Sequence, residues 1–187
     1  MKSHDYAIDL MKFVAVLMIT NSHFLPLYQD VKPSLATFGV HGNALFFFIT
    51  GFTLALSGST MVETFDNWYK RRLKRIWPTL IVWATLSSII CGSGISWKTM
   101  FLGYGYWFLQ FILAAYIVMY FVLRYAKDYL KHLVILSAIG TSITIIFLPH
   151  TTQSIYHEYH YFCYISCILL GAYCASNKRE IVTLGGG

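Results

Sequence analysis

Lys12 and His23 stand eleven residues apart in an apolar stretch near the start of the chain. At about 100° per residue in a helix, that interval closes to within roughly 20° of whole turns, so the two side chains fall on one stripe. The rise along the stripe is about 16 Å, which puts an ammonium at one rim of a bilayer and an imidazole past its middle. A cation suits the holding of an anion, and an imidazole suits the taking of a proton or the carrying of a group. Asp9 lies one turn before Lys12, where pairing orients the ammonium and lowers its desolvation cost. Asn21 and Ser22 flank the histidine and Pro26 follows it, a polar and breakable helix end of the kind that lines a water-filled cavity. Each residue also has a plainer reading: Lys12 as a snorkelling anchor, His23 as a neutral ring bonded to a neighbouring helix. The shared stripe favours the chemical one.

A second cluster is the run Lys70-Arg71-Arg72-Leu73-Lys74-Arg75 before Ile76-Trp77-Pro78. On charge alone it is a cytoplasmic anchor. As a site, Arg72 and Arg75 share a face at i and i+3 and offer planar, multiply donating groups to phosphates. Polar residues elsewhere say less. Asn43 and Thr50 are isolated among Phe46, Phe47 and Phe48, and Gly51 beside them reads as close helix packing. His41, His150, His157 and His160 fall at or beyond the outer ends of apolar runs, where they are ordinary or line an acceptor pocket. Of the four cysteines, Cys91, Cys163, Cys167 and Cys174, the pair at 163 and 167 has no nearby acid or histidine at ligand spacing, so no metal site is expected. Buried thiols are the reading.

The elements that must position these groups are transmembrane helices. With 57% hydrophobic and 12% charged residues, the chain is too apolar for a soluble domain. Runs long enough to span are Met11–Tyr28, Leu35–Ser57, Ile76–Gly92, Gly105–Leu123, Leu133–Leu148 and Tyr161–Ala175. None alternates as a barrel strand would. The expected fold is therefore all-α: a polytopic transmembrane helical bundle of about six spans in one domain over 1–187.

The net charge of +6 does not indicate nucleic acid, because the cations cluster in alternate connections. Lys2, Lys12, the 70–75 run, Arg124, Lys127, Lys131, Lys178 and Arg179 lie on one side, and only Lys32 and Lys98 on the other. The positive-inside rule then places both termini in the cytoplasm. A cleaved signal peptide fits poorly, since Asp5 and Asp9 occupy what would be its basic region. Gly58 to Arg75, with Trp68 and Tyr69, suits an amphipathic helix at the headgroup level. The closing Gly185-Gly186-Gly187 reads as a truncation or a tail.

Four of these stretches together resemble membrane-bound acyltransferase family 3. Asp9-Leu-Met-Lys12, ten residues and His23 resemble its first-helix signature, in which arginine is commoner at the place of Lys12. Leu45-Phe-Phe-Phe-Ile-Thr-Gly51-Phe52 resembles the second-helix motif, with Thr50 where serine is usual. Tyr69 to Pro78 is similar to the basic motif opening the third helix, and Tyr106-Trp-Phe-Leu-Gln-Phe-Ile to the Trp-containing stretch of the fourth. The match runs over residues 5 to 120, and the order of the motifs makes it specific. Members of the family carry about ten spans, so the resemblance is to their amino-terminal part.

The resemblance implies transfer of an acyl group, commonly acetyl, from cytosolic acyl-coenzyme A to a hydroxyl of a carbohydrate or cell-envelope polymer. The setting it implies is lipid of the bacterial inner membrane. In that picture Arg72 and Arg75, with Lys12, hold donor phosphates. His23, supported by Lys12 and Asp9, acts as general base or acyl carrier, and Asn43, Thr50 and Trp107 contact substrate. A channel or transporter bundle also sets polar groups along one stripe, but no inverted repeat is visible. A non-catalytic remnant is the third possibility.

Overall fold

The structure is a computed structural model that describes residues 6–28, 30, 32–91, 107–147 and 155–184. Side chains are described for all of these except Pro33, Cys91, 155–160 and 179–184. Lys2, Asp5, Gly92, Lys98, Gly105, Tyr106, Leu148, His150 and Gly185 to Gly187 lie outside the described residues, as do the side chains of Cys91, His157, His160 and Arg179.

Among the described residues all regular structure is helical. In chain order the α-helices are α1 (Tyr6–His23), α2 (Leu25–Tyr28), α3 (Gly39–Ser57), α4 (Ser59–Val62), α5 (Phe65–Cys91), α6 (Trp107–Tyr125), α7 (Leu130–Phe147) and α8 (Ile155–Leu184). Short 3-10 turns occupy Pro33–Leu35 and Lys127–Tyr129. Among the described residues three stretches, Gly39–Ser57, Trp107–Tyr125 and Lys127–Phe147, are long and apolar enough to cross a membrane.

Several boundaries differ from the sequence expectation: α1 begins at Tyr6 rather than Met11, α8 runs from Ile155 to Leu184 rather than from Tyr161 to Ala175, and three others have a clear local reason. The first apolar run does not continue to Tyr28 as one helix. Pro26 has no N–H to offer the Ser22 carbonyl and its ring crowds that turn, so α1 closes at His23 and a separate turn, α2, follows. The second run becomes α-helical at Gly39 rather than Leu35, after Phe38 takes a left-handed φ of 71°. The third helix begins eleven residues before Ile76, because the amphipathic segment from Phe65 is continuous with the apolar one. It runs on through Pro78, which leaves the Lys74 carbonyl without an intrahelical donor.

The chain gathers into two compact units: Met1–Ser57 with Asp128–Gly187, and Gly58–Lys127. In the first, α1 packs on α3 along a stripe that includes Ile8 and the fully buried Ala15. The approach depends on Gly42, where an added Cβ would stand 2.9 Å from the Ala15 carbonyl oxygen and from Met18 Cβ. The most extensive pairing is α3 with α8. There a Cβ on Gly51 would collide with the Ile168 carbonyl, and one on Gly171 with the Phe48 carbonyl. Two backbones touching through glycines is how membrane helices gain dispersion contact where no hydrophobic effect drives them together. Phe47 and Tyr164 complete the seam, with ring centres 5.0 Å apart. Against α8 also lies α7, with Thr141 and Ser166 hydroxyl oxygens 3.2 Å apart.

The second unit is α4, α5 and α6. Its centre is Trp68, which has 0% exposure and donates its indole N–H to Ser59 Oγ at 3.0 Å. The Tyr120 ring packs on Trp68 at 5.3 Å, and Phe65 packs on Tyr120 at 5.2 Å.

Candidate functional site

In the first unit, α1 is an unbroken helix from Tyr6 to His23, so Lys12 and His23 keep the register of their spacing. Both flank the α3-facing stripe on the same side: from Ala15, Lys12 lies about 60° and His23 about 80° around the axis. Both are exposed within the unit. Lys12 Nζ lies 3.3 Å from Asp9 Oδ1, a one-turn pair with each side chain about half exposed (49% and 48%). His23 makes no hydrogen bond to any described residue.

The polar residues beside the histidine serve the backbone. The Asn21 amide donates to the Leu35 carbonyl at 2.7 Å and to the Thr37 carbonyl at 3.4 Å, and its oxygen accepts from the Tyr28 hydroxyl at 3.1 Å. Ser22 donates back to the Ile19 carbonyl at 2.7 Å. Asn21 thus ties the link between α1 and α3, a use that its place at a helix end did not reveal. Two of the residues expected to contact substrate are similarly engaged. Thr50 donates to the Phe46 carbonyl of its own helix at 2.9 Å, as hydroxyls in apolar helices commonly do. Asn43 reaches the Tyr164 hydroxyl on α8 at 3.5 Å.

The second unit holds Arg72, Arg75 and Trp107. Acids take up two of the five cations on the first turns of α5: Lys70 lies 2.7 Å from Asp66, and Arg71 lies 2.6 Å from Glu63. Lys74 and Arg75 are exposed and pair with no acid among the described residues. Arg72 differs from all of them. Its guanidinium carbon lies 5.2 Å from the Trp68 ring centre and 5.9 Å from that of Tyr116. Those two rings are 6.0 Å apart and meet at 85°. The three centres therefore form a nearly equilateral triangle, with the cation seated in the corner of two perpendicular rings.

Cation–π attraction favours that seat, but it does not satisfy the donors. Arg72 Nε is buried and has no hydrogen-bond partner among the described residues. A buried donor left unmade costs about 1–3 kcal/mol, and more when charged. No acid pairs with Arg72 among the described residues, so an anion beside the accessible part of the guanidinium would balance its charge. Trp107 opens α6 and meets Phe108 edge to face at 5.8 Å.

Sequence reasoning passed over the groups that build this corner. Arg124 reads in the sequence as one more charge after a span. Its Nη1 donates to the carbonyls of Thr60 and Glu63 and to the Tyr120 hydroxyl, each at 2.9 Å. Tyr120 in turn donates to the Glu63 carbonyl at 2.9 Å. The carbonyl acceptors lie some sixty positions upstream in sequence, so residue types carried no signal of them.

A chain whose described residues are helical, with stretches apolar enough for a bilayer, is a membrane protein. The profile of the Acyltransferase domain family, acyltransferase 3, matches residues 5–185, a range that includes every candidate site residue, and the chain belongs to that family. No curated protein and no solved structure gives a match.

Proposed function

We propose that this acyltransferase moves an acyl group, acetyl foremost, from acyl-coenzyme A to a hydroxyl of a carbohydrate or cell-envelope polymer. Its setting in this reading is the bacterial inner membrane, crossed six times with both ends in the cytosol. The observation that carries the donor assignment is Arg72: a half-buried guanidinium held by two rings, with no acid paired to it among the described residues. A nucleotide-tailed thioester brings the phosphates such a group would bind, and exposed Arg75 on the same face adds charge.

In the first unit, His23 is the group for the transfer, with Lys12 and Asp9 below it on α1. As general base, the imidazole takes the proton of the acceptor hydroxyl while the oxygen attacks the thioester carbonyl. The carbon–sulfur bond then breaks, and the coenzyme thiolate receives a proton. As carrier, an imidazole nitrogen attacks first, expels the thiolate, and passes the acyl group to the hydroxyl in a second step. Both routes begin from a neutral ring.

The test follows label from acetyl-coenzyme A into acceptor or water with purified full chain in lipid. His23→Ala is expected to lower turnover by about 10²-fold or more with membrane insertion intact. Arg72→Ala is expected to weaken donor binding about tenfold or more, by an amount that shrinks as salt rises. Near-normal turnover without His23 would remove it from the chemistry, and a donor affinity unchanged without Arg72 would remove the corner from donor binding. Label trapped on protein in acid quench, and lost with His23, would select the carrier route.

A further inference from the structure

The corner that holds Arg72 is itself held from outside. The contacts that do so lie within the second unit and run in an unbroken series. Arg124 Nη1 grips the Thr60 and Glu63 carbonyls at 2.9 Å each. Those residues belong to the turn that begins at Ser59, whose hydroxyl accepts the Trp68 indole N–H at 3.0 Å. Trp68 is the ring on which the Arg72 guanidinium rests at 5.2 Å. Tyr120, bonded to both Arg124 and the Glu63 carbonyl, closes the series by packing its ring 5.3 Å from Trp68. The same turn carries the Glu63 carboxylate, which takes Arg71 at 2.6 Å.

We propose that Arg124 is a positioning residue for the anion corner: by locking the 59–63 turn it fixes Trp68, and through Trp68 the plane of the Arg72 guanidinium. The same lock directs the Glu63 carboxylate to Arg71, so that the neighbouring Arg72 is left for the ligand. Bonding of this kind behind a binding group governs its orientation, and its loss loosens binding without touching the ligand. Planarity makes the effect specific to arginine, whose donors are fixed in one plane, unlike the freely turning ammonium of lysine.

This inference rests on the donor reading of Arg72, and one experiment separates the two. Equilibrium binding of acetyl-coenzyme A to the full chain in lipid is measured for wild type, Arg124→Gln, Arg72→Ala and the double variant, with the binding-competent fraction titrated in each. The expected result is a dissociation constant raised about fivefold by Arg124→Gln, an unchanged competent fraction, and no further loss when Arg72 is already alanine. A merely structural role would lower the competent fraction and leave the constant alone. It would overturn the proposal, as would full additivity with Arg72→Ala; in either case Arg72→Ala still weakens binding and the donor reading stands. If Arg72→Ala itself has no effect, the donor reading fails and the role of Arg124 falls with it. Should Arg124→Gln not accumulate, Tyr120→Phe removes only the hydroxyl between Arg124 and the Glu63 carbonyl and carries the same comparison.

Discussion

The unit built on α1, α3, α7 and α8 and the unit built on α4, α5 and α6 hold together by opposite means. In the first, helix backbones press against each other at Gly51 and Gly171, and most of the polar side chains, such as Thr50 and Ser22, turn back to their own helix. In the second, long side chains do the joining: Arg124, Tyr120 and Trp68 bind carbonyls and a hydroxyl. A seam closed on glycine leaves no room between its helices. A seam closed by extended side chains can leave a charged group half-buried and unmatched, and Arg72 is that group. The difference also separates two cations. Lys12 meets its acid in the open, where such pairs contribute about 0–1 kcal/mol. Arg72 has aromatic walls in place of an acid.

The largest expected break in this contrast comes at the glycine seam. Gly51→Val sets carbon against the Ile168 carbonyl, a backbone atom that cannot swing aside. The loss should be about 3 kcal/mol or more, seen as failure of the variant to survive detergent extraction as a folded species. Normal melting would mean the helices part there freely. Next in size is a pair of exchanges. Arg72→Lys should weaken acetyl-coenzyme A binding about tenfold, because an ammonium lacks the planar donor edge, whereas Lys12→Arg should stay within about twofold. Equal effects in a binding titration would erase the distinction drawn between the two cations. The smallest effect belongs to Gly140 on α7, where an added Cβ meets nothing within 4 Å. Gly140→Ala should therefore raise stability by about 0.5 kcal/mol through helix propensity alone, measured as a small upward shift in melting temperature.

Much of the fold was legible because its cause is compositional. Apolar runs of span length had to be helical, and each run lies largely within a helix, with ends moved by Pro26, by Phe38 and by the amphipathic lead into α5, and with α1 and α8 extending beyond their apolar runs. The stripe of Lys12 and His23 was legible too, since a helical interval fixes angle as well as distance. The uses of Asn21, Thr50 and Arg124 were not. Each bonds a carbonyl oxygen, and every residue type supplies one, so no pattern of side chains announces the partner. The unequal fates of Arg71 and Arg72 were hidden for a related reason. Adjacent in sequence and identical in type, they part company only because Glu63 stands beside one and Trp68 beneath the other.

The seam between α3 and α8 joins segments from opposite ends of the chain, with the whole of Gly58–Lys127 made between them. During synthesis, α3 therefore leaves the ribosome long before its principal mate exists, while α4, α5 and α6 meet partners soon after they emerge. The bare Gly51 ridge must wait in lipid through that interval. The order of assembly is thus written into the connectivity, with the Trp68–Arg72 corner ripening early and the histidine-bearing unit locking last.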